Sequence, residues 1–223
     1  MKTFEKFVTA IVVFFVGLGL YLSITDMPFY EGVYVKEDGP LEWLTFVALV
    51  LGSVLCFYRV YILRPFRSGV FRTCLFLLGL VFVFGAGEEI SWGQRIFDIK
   101  SPEFFVQNNS QQETNLHNLI LGDIKVNRLF FGLILGIMVG LYLLVLPLLY
   151  KKFEKVRDFV NAVAFPVPRP IHILLFIVVF AMSEMSPSGK KGELIEFGGC
   201  WMFLIMTFNP WNRDVFSRIS LRR

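Results

Sequence analysis

Apolar and polar residues follow one another along this chain in long blocks, with charged connectors between extended apolar runs. A helix rises about 1.5 Å per residue, so roughly 20 apolar residues cross a hydrocarbon core of about 30 Å. Six segments fit that template: 7–25, 42–63, 72–95, 129–150, 171–185 and 194–208. The last two reach the length only if polar residues at their ends also lie in the bilayer. No repeat of fixed period occurs, and no linker is long enough to separate domains. The pattern therefore predicts one all-α domain, a polytopic transmembrane bundle of six spans. A polar loop, 96–128, joins the third and fourth spans. After the fourth span, the stretch 151–164 places Phe153, Val156, Val160 and Val163 at helical spacing among charges, as in a helix lying in the membrane interface. Pro166, Pro168 and Pro170 then keep the chain extended before the fifth span.

Composition narrows the class. Of 223 residues, 55% are hydrophobic and 18% charged, below the roughly 25% of soluble domains. A soluble enzyme and a disordered chain are both excluded. The first run, preceded by Lys2 and Lys6, is too long for a signal peptide and lacks a small-x-small cleavage site, so it is expected to remain as a span. Cys56, Cys74 and Cys200 fall inside spans as small apolar residues, and no disulfide is expected.

Charge sets the orientation. With the N-terminus inside, 15 of the 22 basic residues and 4 of the 18 acids lie on the inner side, giving +11 there and −7 outside. The positive-inside rule then places both termini on the cytoplasmic side of the membrane. The overall +4 is the remainder of this division, so nucleic acid is not an expected partner. Membrane lipids are, together with a second copy of the chain or a cytoplasmic partner at the inner loops.

The candidate chemistry is a belt of carboxylates. Glu42 lies 17 residues from Arg59, Glu88 16 from Arg72, Glu184 15 from Arg169 and Glu196 17 from Arg213. These separations put all four at about 22–26 Å from the inner edge, and Glu89 makes a fifth. A charge in hydrocarbon costs several kcal/mol, so such residues face a bundle interior, pair, or mark a functional site. Glu88, Ser91, Trp92 and Arg95 share a helical face at i, i+3, i+4 and i+7. Adjacent carboxylates also need neutralising, by Arg95 and Arg128, by a metal, or by a cationic ligand. Glu88, Glu89 and His117 are the candidate catalytic residues. Arg95, Trp92, Gln94, Asn115 and Asn118 are candidate substrate-binding residues. Glu88, Glu89, Glu184 and His117 are a candidate ligand set for one divalent metal.

The run Gly87-Glu88-Glu89-Ile90-Ser91-Trp92-Gly93-Gln94-Arg95, followed by Glu113-x-Asn115-Leu116-His117-Asn118, resembles a signature in a family of bacterial polytopic membrane proteins. The stretch from Glu37 to Thr45 looks like a second block of that family, and the resemblance implies no particular activity. The Glu-Glu pair is similar in part to CAAX-type intramembrane proteases, but the arginine here is six residues after Glu89, not four, and His117 is preceded by Glu113, not Phe. Glu42-Trp43-Leu44-Thr45 is similar to the opening block of alkaline ceramidases, whose zinc histidines this chain lacks. Two functions follow as expectations. One is a lipid- or envelope-modifying enzyme using Glu/His acid–base or metal-assisted chemistry. The other is a non-enzymatic subunit, a sensor, scaffold or oligomeric component, in which the polar belt organises helix packing.

Overall fold

The computed structural model describes residues 1–122 and 124–218. Arg222 and Arg223, counted above on the inner side, lie outside the described residues, as does the side chain of Arg128. The chain is mostly helical: α1 (Thr3–Thr25), α2 (Met27–Phe29), α3 (Pro40–Leu63), α4 (Gly69–Glu89), α5 (Glu103–Asn108), α6 (Leu135–Gly140), α7 (Leu146–Lys152), α8 (Glu154–Ala162), α9 (Pro170–Glu184) and α10 (Lys191–Phe208). Two-residue strands β1 (Ile120–Leu121) and β2 (Ile124–Lys125) close a small hairpin. Four helical runs are long and apolar enough to cross a membrane: Thr3–Thr25, Pro40–Leu63, Gly69–Glu89 and Gly132–Lys152. The other two expected spans correspond to α9, with 15 residues, and α10, with 18.

The ends of these helices sort into two layers. Phe4 at the start of α1 meets Phe208 at the end of α10, with ring centroids 4.5 Å apart. Buried Arg59, near the end of α3, donates to the carbonyls of Thr207 at 2.5 Å and Phe208 at 2.8 Å. Those are the unsatisfied carbonyls of the last turn of α10, so Arg59 caps that helix from its neighbour. His172 at the start of α9 is fully buried, its Nε2 2.9 Å from Glu5 Oε1. Arg169 approaches the same oxygen at 3.4 Å. This layer, holding the N-terminus and most arginines, is the basic end. Here Val167, between two prolines, gives its N–H to Asn212 Oδ1 at 3.0 Å.

The centre belongs to α10. Leu194, Phe197, Gly198, Trp201, Met202, Leu204, Ile205 and Met206 are buried around its circumference, against α1, α3 and α9. A helix apolar all round is a core helix, and surrounding protein relieves it of the need to match the bilayer by its own length.

Packing of α3 on α4 is close because each offers a glycine to a ring of the other. A Cβ at Gly52 would come within 2.7 Å of the Phe82 ring, and one at Gly79 within 2.6 Å of the Phe57 ring. Small residues at such crossings let helix backbones approach, which is the main source of attraction between helices in lipid. Gly79→Leu is expected to destabilise the fold by about 1–3 kcal/mol through overpacking. Thermal unfolding in detergent checks this, and a Phe57→Ala partner change should restore part of the loss.

The run 127–152 differs from the others. It alternates α-helical and wider π turns, one of which, Leu141–Val145, ends two residues before Pro147. Proline cannot donate to the preceding turn, and a π bulge is one way a helix absorbs that defect. Only 11% of the window Gly132–Lys152 is buried, against 28–39% for the other three long helices. Tyr142 is its main anchor, donating to the Pro166 carbonyl at 3.1 Å and facing the Phe203 ring. Within the stretch 151–164 a helix forms as α8, with Val160 buried and Phe159 exposed.

Candidate functional site

The signature residues meet where α4 ends. The expected span 72–95 does not continue as one helix: α4 stops at Glu89, and Ser91 and Trp92 adopt left-handed backbone angles, φ 46° and 56°. Non-glycine residues rarely adopt that conformation, and the surrounding contacts must hold them there. Gly87 makes the turn feasible, because the Trp92 ring folds back onto it and a Cβ there would lie 2.7 Å from Trp92 Cε3. Gly93, at φ 75°, completes the reversal.

This reversal points the Trp92 indole N–H at Glu88, donating to Oε1 at 2.9 Å. The other oxygen, Oε2, accepts the backbone N–H of Leu116 at 2.6 Å and of His117 at 3.0 Å. Both oxygens of a buried carboxylate are thus engaged, by donors 4, 28 and 29 residues away in sequence. Charge-assisted bonds of this kind are among the stronger polar contacts a protein makes.

Around that anchor the remaining signature side chains bond to one another. Ser91 Oγ donates to Glu113 Oε2 at 2.5 Å, and Asn115 Nδ2 donates to Ser91 Oγ at 2.9 Å. Gln94 Oε1 accepts the Thr114 N–H at 2.8 Å, while Gln94 Nε2 donates to Ser101 Oγ at 2.6 Å. Asn109 Nδ2 donates to Asn115 Oδ1, and the N–H of Asn118 donates to the same oxygen at 3.1 Å. Arg95 was one of the alternatives for neutralising the Glu88–Glu89 pair, but its guanidinium is held by Glu113 and Asp38. Its Nε lies 2.9 Å from Glu113 Oε1, its Nη2 donates to Glu113 Oε2 at 2.9 Å, and its Nη1 pairs with Asp38. Burial opposes the charge of Arg95, yet Glu113 and Asp38 outweigh it and raise the pKa above the ordinary arginine value. The loop is therefore a cap sewn to the end of α4, and Asp38 ties it to the segment before α3.

The belt itself separates into three parts. Glu88 turns into the cap. Glu184 stands apart, paired with Lys191 at 2.6 Å. Glu89 of α4 lies near Glu196 of α10, with Glu42 and Glu193 also in its neighbourhood. Glu42 also accepts the backbone N–H of Asp38. Glu88, Glu89, Glu184 and His117 are not assembled into a metal site: among the described residues no group of three or more His, Cys, Asp or Glu side chains is arranged to hold an ion.

Three residues central to this geometry were not singled out beforehand. Glu113 organises Ser91, Arg95 and Asn115, yet it drew notice only as the first letter of its block. Asp38 and Asn109 likewise carried no spacing that could connect them to the end of α4. Comparison with family models, with curated proteins and with solved structures produced no match.

Proposed function

We propose that this chain is a non-enzymatic subunit of a complex in the bacterial inner membrane, with both termini cytoplasmic, in which the signature residues build a rigid cap. One observation carries the reading: both oxygens of Glu88 are occupied by N–H donors from Trp92, Leu116 and His117. A carboxylate so engaged positions a loop, and the amides around it serve the same end. The resemblance to a bacterial polytopic family agrees with this organisation, and the division of charge supports the orientation.

A surface for the partner helix is available on the run 127–152. Gly132, Gly136 and Gly140 repeat at four-residue spacing, the pattern of close helix association in lipid. Among the described residues nothing lies within 4 Å of a Cβ added at Gly136 or Gly140, whereas Gly52 and Gly79 are filled from within the chain. Replacing Gly136 and Gly140 together by Leu is expected to convert a complex into the single chain without lowering its melting temperature. Particle mass in nanodiscs drawn directly from the native membrane measures this. A wild-type protein that is already a single chain there, or a double variant that keeps its complex, overturns the reading.

A second reading is favoured by the nearness of Glu89 and Glu196. Neighbouring acids suit acid–base chemistry, and a lipid- or envelope-modifying enzyme would use this pair in place of Glu88. Under that reading, Glu89→Gln and Glu196→Gln each erase a difference in membrane lipid composition between cells with and without the protein. If mass spectrometry of the lipids finds no such difference, the enzymatic reading fails.

A further inference from the structure

The arginines of the basic end are unequally employed. Arg59 caps α10, and its guanidinium also lies 4.9 Å from the Phe216 ring centroid. Arg67 donates from Nε to the Val215 carbonyl at 2.9 Å, and Arg218 donates to the Ile62 carbonyl at 2.9 Å. Arg213 lies beside Asp214. Two others have no such duty. Among the described residues neither Arg64 nor Arg72 has an ion-pair partner, and Arg72 Nε is buried without a hydrogen bond. An unsatisfied guanidinium N–H away from water is costly unless a ligand completes it.

Both arginines line one groove of about 320 Å³ between α3 and α4, whose other walls are Phe57, Val60, Tyr61 and Phe76. Among the described residues no acidic side chain lines it. Phe57 and Phe76 form its floor with ring centroids 5.3 Å apart, and the close approach at Gly79 holds the Phe57 ring in place. Tyr61 is 76% exposed, so the groove opens outward from the bundle. Arg64 stands at the C-terminal end of α3 and Arg72 in the first turn of α4, at the level where spanning helices leave the hydrocarbon. Arg64 and Arg72 thus border an apolar, aromatic wall near the ends of two long apolar helices.

We propose that this groove is a binding site for an anionic phospholipid, with the phosphate between Arg64 and Arg72 and an acyl chain along Phe57 and Phe76. Arginine suits this role because its planar donors match phosphate oxygens in pairs. The apolar wall decides for a lipid over a free phosphate ion, which would leave four side chains uncovered. Charge decides for an anionic lipid over a zwitterionic one, whose own ammonium would meet two uncompensated arginines.

Native mass spectrometry of the detergent-purified full chain tests the site, with phosphatidylglycerol and phosphatidylcholine as probes. Wild type is expected to retain phosphatidylglycerol at least about tenfold more strongly, the difference vanishing when Arg64 and Arg72 are both changed to Gln. Val60→Trp keeps both charges and fills the groove, so it is expected to lose the lipid as well while melting like wild type. Equal retention of the two lipids overturns the proposal, as does full retention by both variants. Displacement of phosphatidylglycerol by millimolar inorganic phosphate overturns it too, by assigning the pair of arginines to a free anion.

Discussion

Glu88→Ala is expected to release the cap from the end of α4 and to destabilise the protein by about 3–5 kcal/mol. The change leaves the Trp92 indole N–H and the backbone N–H groups of Leu116 and His117 without their acceptor. Each stranded donor costs about 1–3 kcal/mol where water cannot replace the lost partner. The left-handed turn at Ser91 and Trp92 then loses the contact that holds it, so the damage should spread to Glu113 and Arg95. Thermal unfolding in detergent should show the loss. Limited proteolysis should show new cleavage between residues 94 and 118. Glu88→Gln retains one carbonyl acceptor and should fall between wild type and alanine. A Glu88→Ala protein that melts normally and resists cleavage would show that Glu88 does not anchor the cap and would return it to the list of chemical candidates.

The second large effect is expected at the opposite end. Glu5 and His172 are both fully buried, 2.9 Å apart, and join the first turn of α1 to the first turn of α9. Glu5 also accepts the Lys2 N–H at 2.5 Å, closing the start of α1. Removing one member of a buried charged or hydrogen-bonded pair costs about 3–5 kcal/mol, because the other is left without compensation. Glu5→Ala is therefore expected to lower the melting temperature sharply, and His172→Ala to do so by a similar amount. The double change should cost less than the two added together, and the shortfall measures their coupling. Strict additivity would mean that the pair does not act as a unit.

Much of the helical plan was legible in the residues, because apolar run length is a one-dimensional property. Thr3–Thr25, Pro40–Leu63 and Gly69–Glu89 form close to where the runs place them. So does α8, whose apolar positions recur at helical spacing. Less legible was the end of the third run. Glu88, Ser91, Trp92 and Arg95 fit a helical face by spacing, but spacing assumes that the helix continues. Gly87 and Gly93 make the reversal cheap, and a glycine pair flanking a tryptophan did not by itself say that the ring would fold back. The depth count put five acids at one level, and depth says nothing about azimuth. Rotation about each helix axis sends Glu88 into the cap, Glu184 to Lys191 and Glu89 to Glu196.

The G-x-x-x-G-x-x-x-G spacing from Gly132 to Gly140 stood in the chain as plainly as any signature. It acquires meaning only beside Gly52 and Gly79, which are filled from within while Gly136 and Gly140 stay open. The two free arginines of the groove show the same dependence. Arg59, Arg64, Arg67 and Arg72 read alike as boundary charges, and only the fold shows which ones bind carbonyls of the same chain.

Hydropathy and charge, which are sums over neighbouring residues, were enough to foresee a mostly helical chain with helices long and apolar enough to cross a membrane, and the contrast between its two ends. Which acids meet, which arginines remain unengaged and which helix stays at the margin depend on contacts between residues as far apart as Glu5 and His172, or Arg59 and Thr207. Such contacts depend on how the helices rotate and cross as they pack, and that is a property of the assembled bundle that no local window of residues contains.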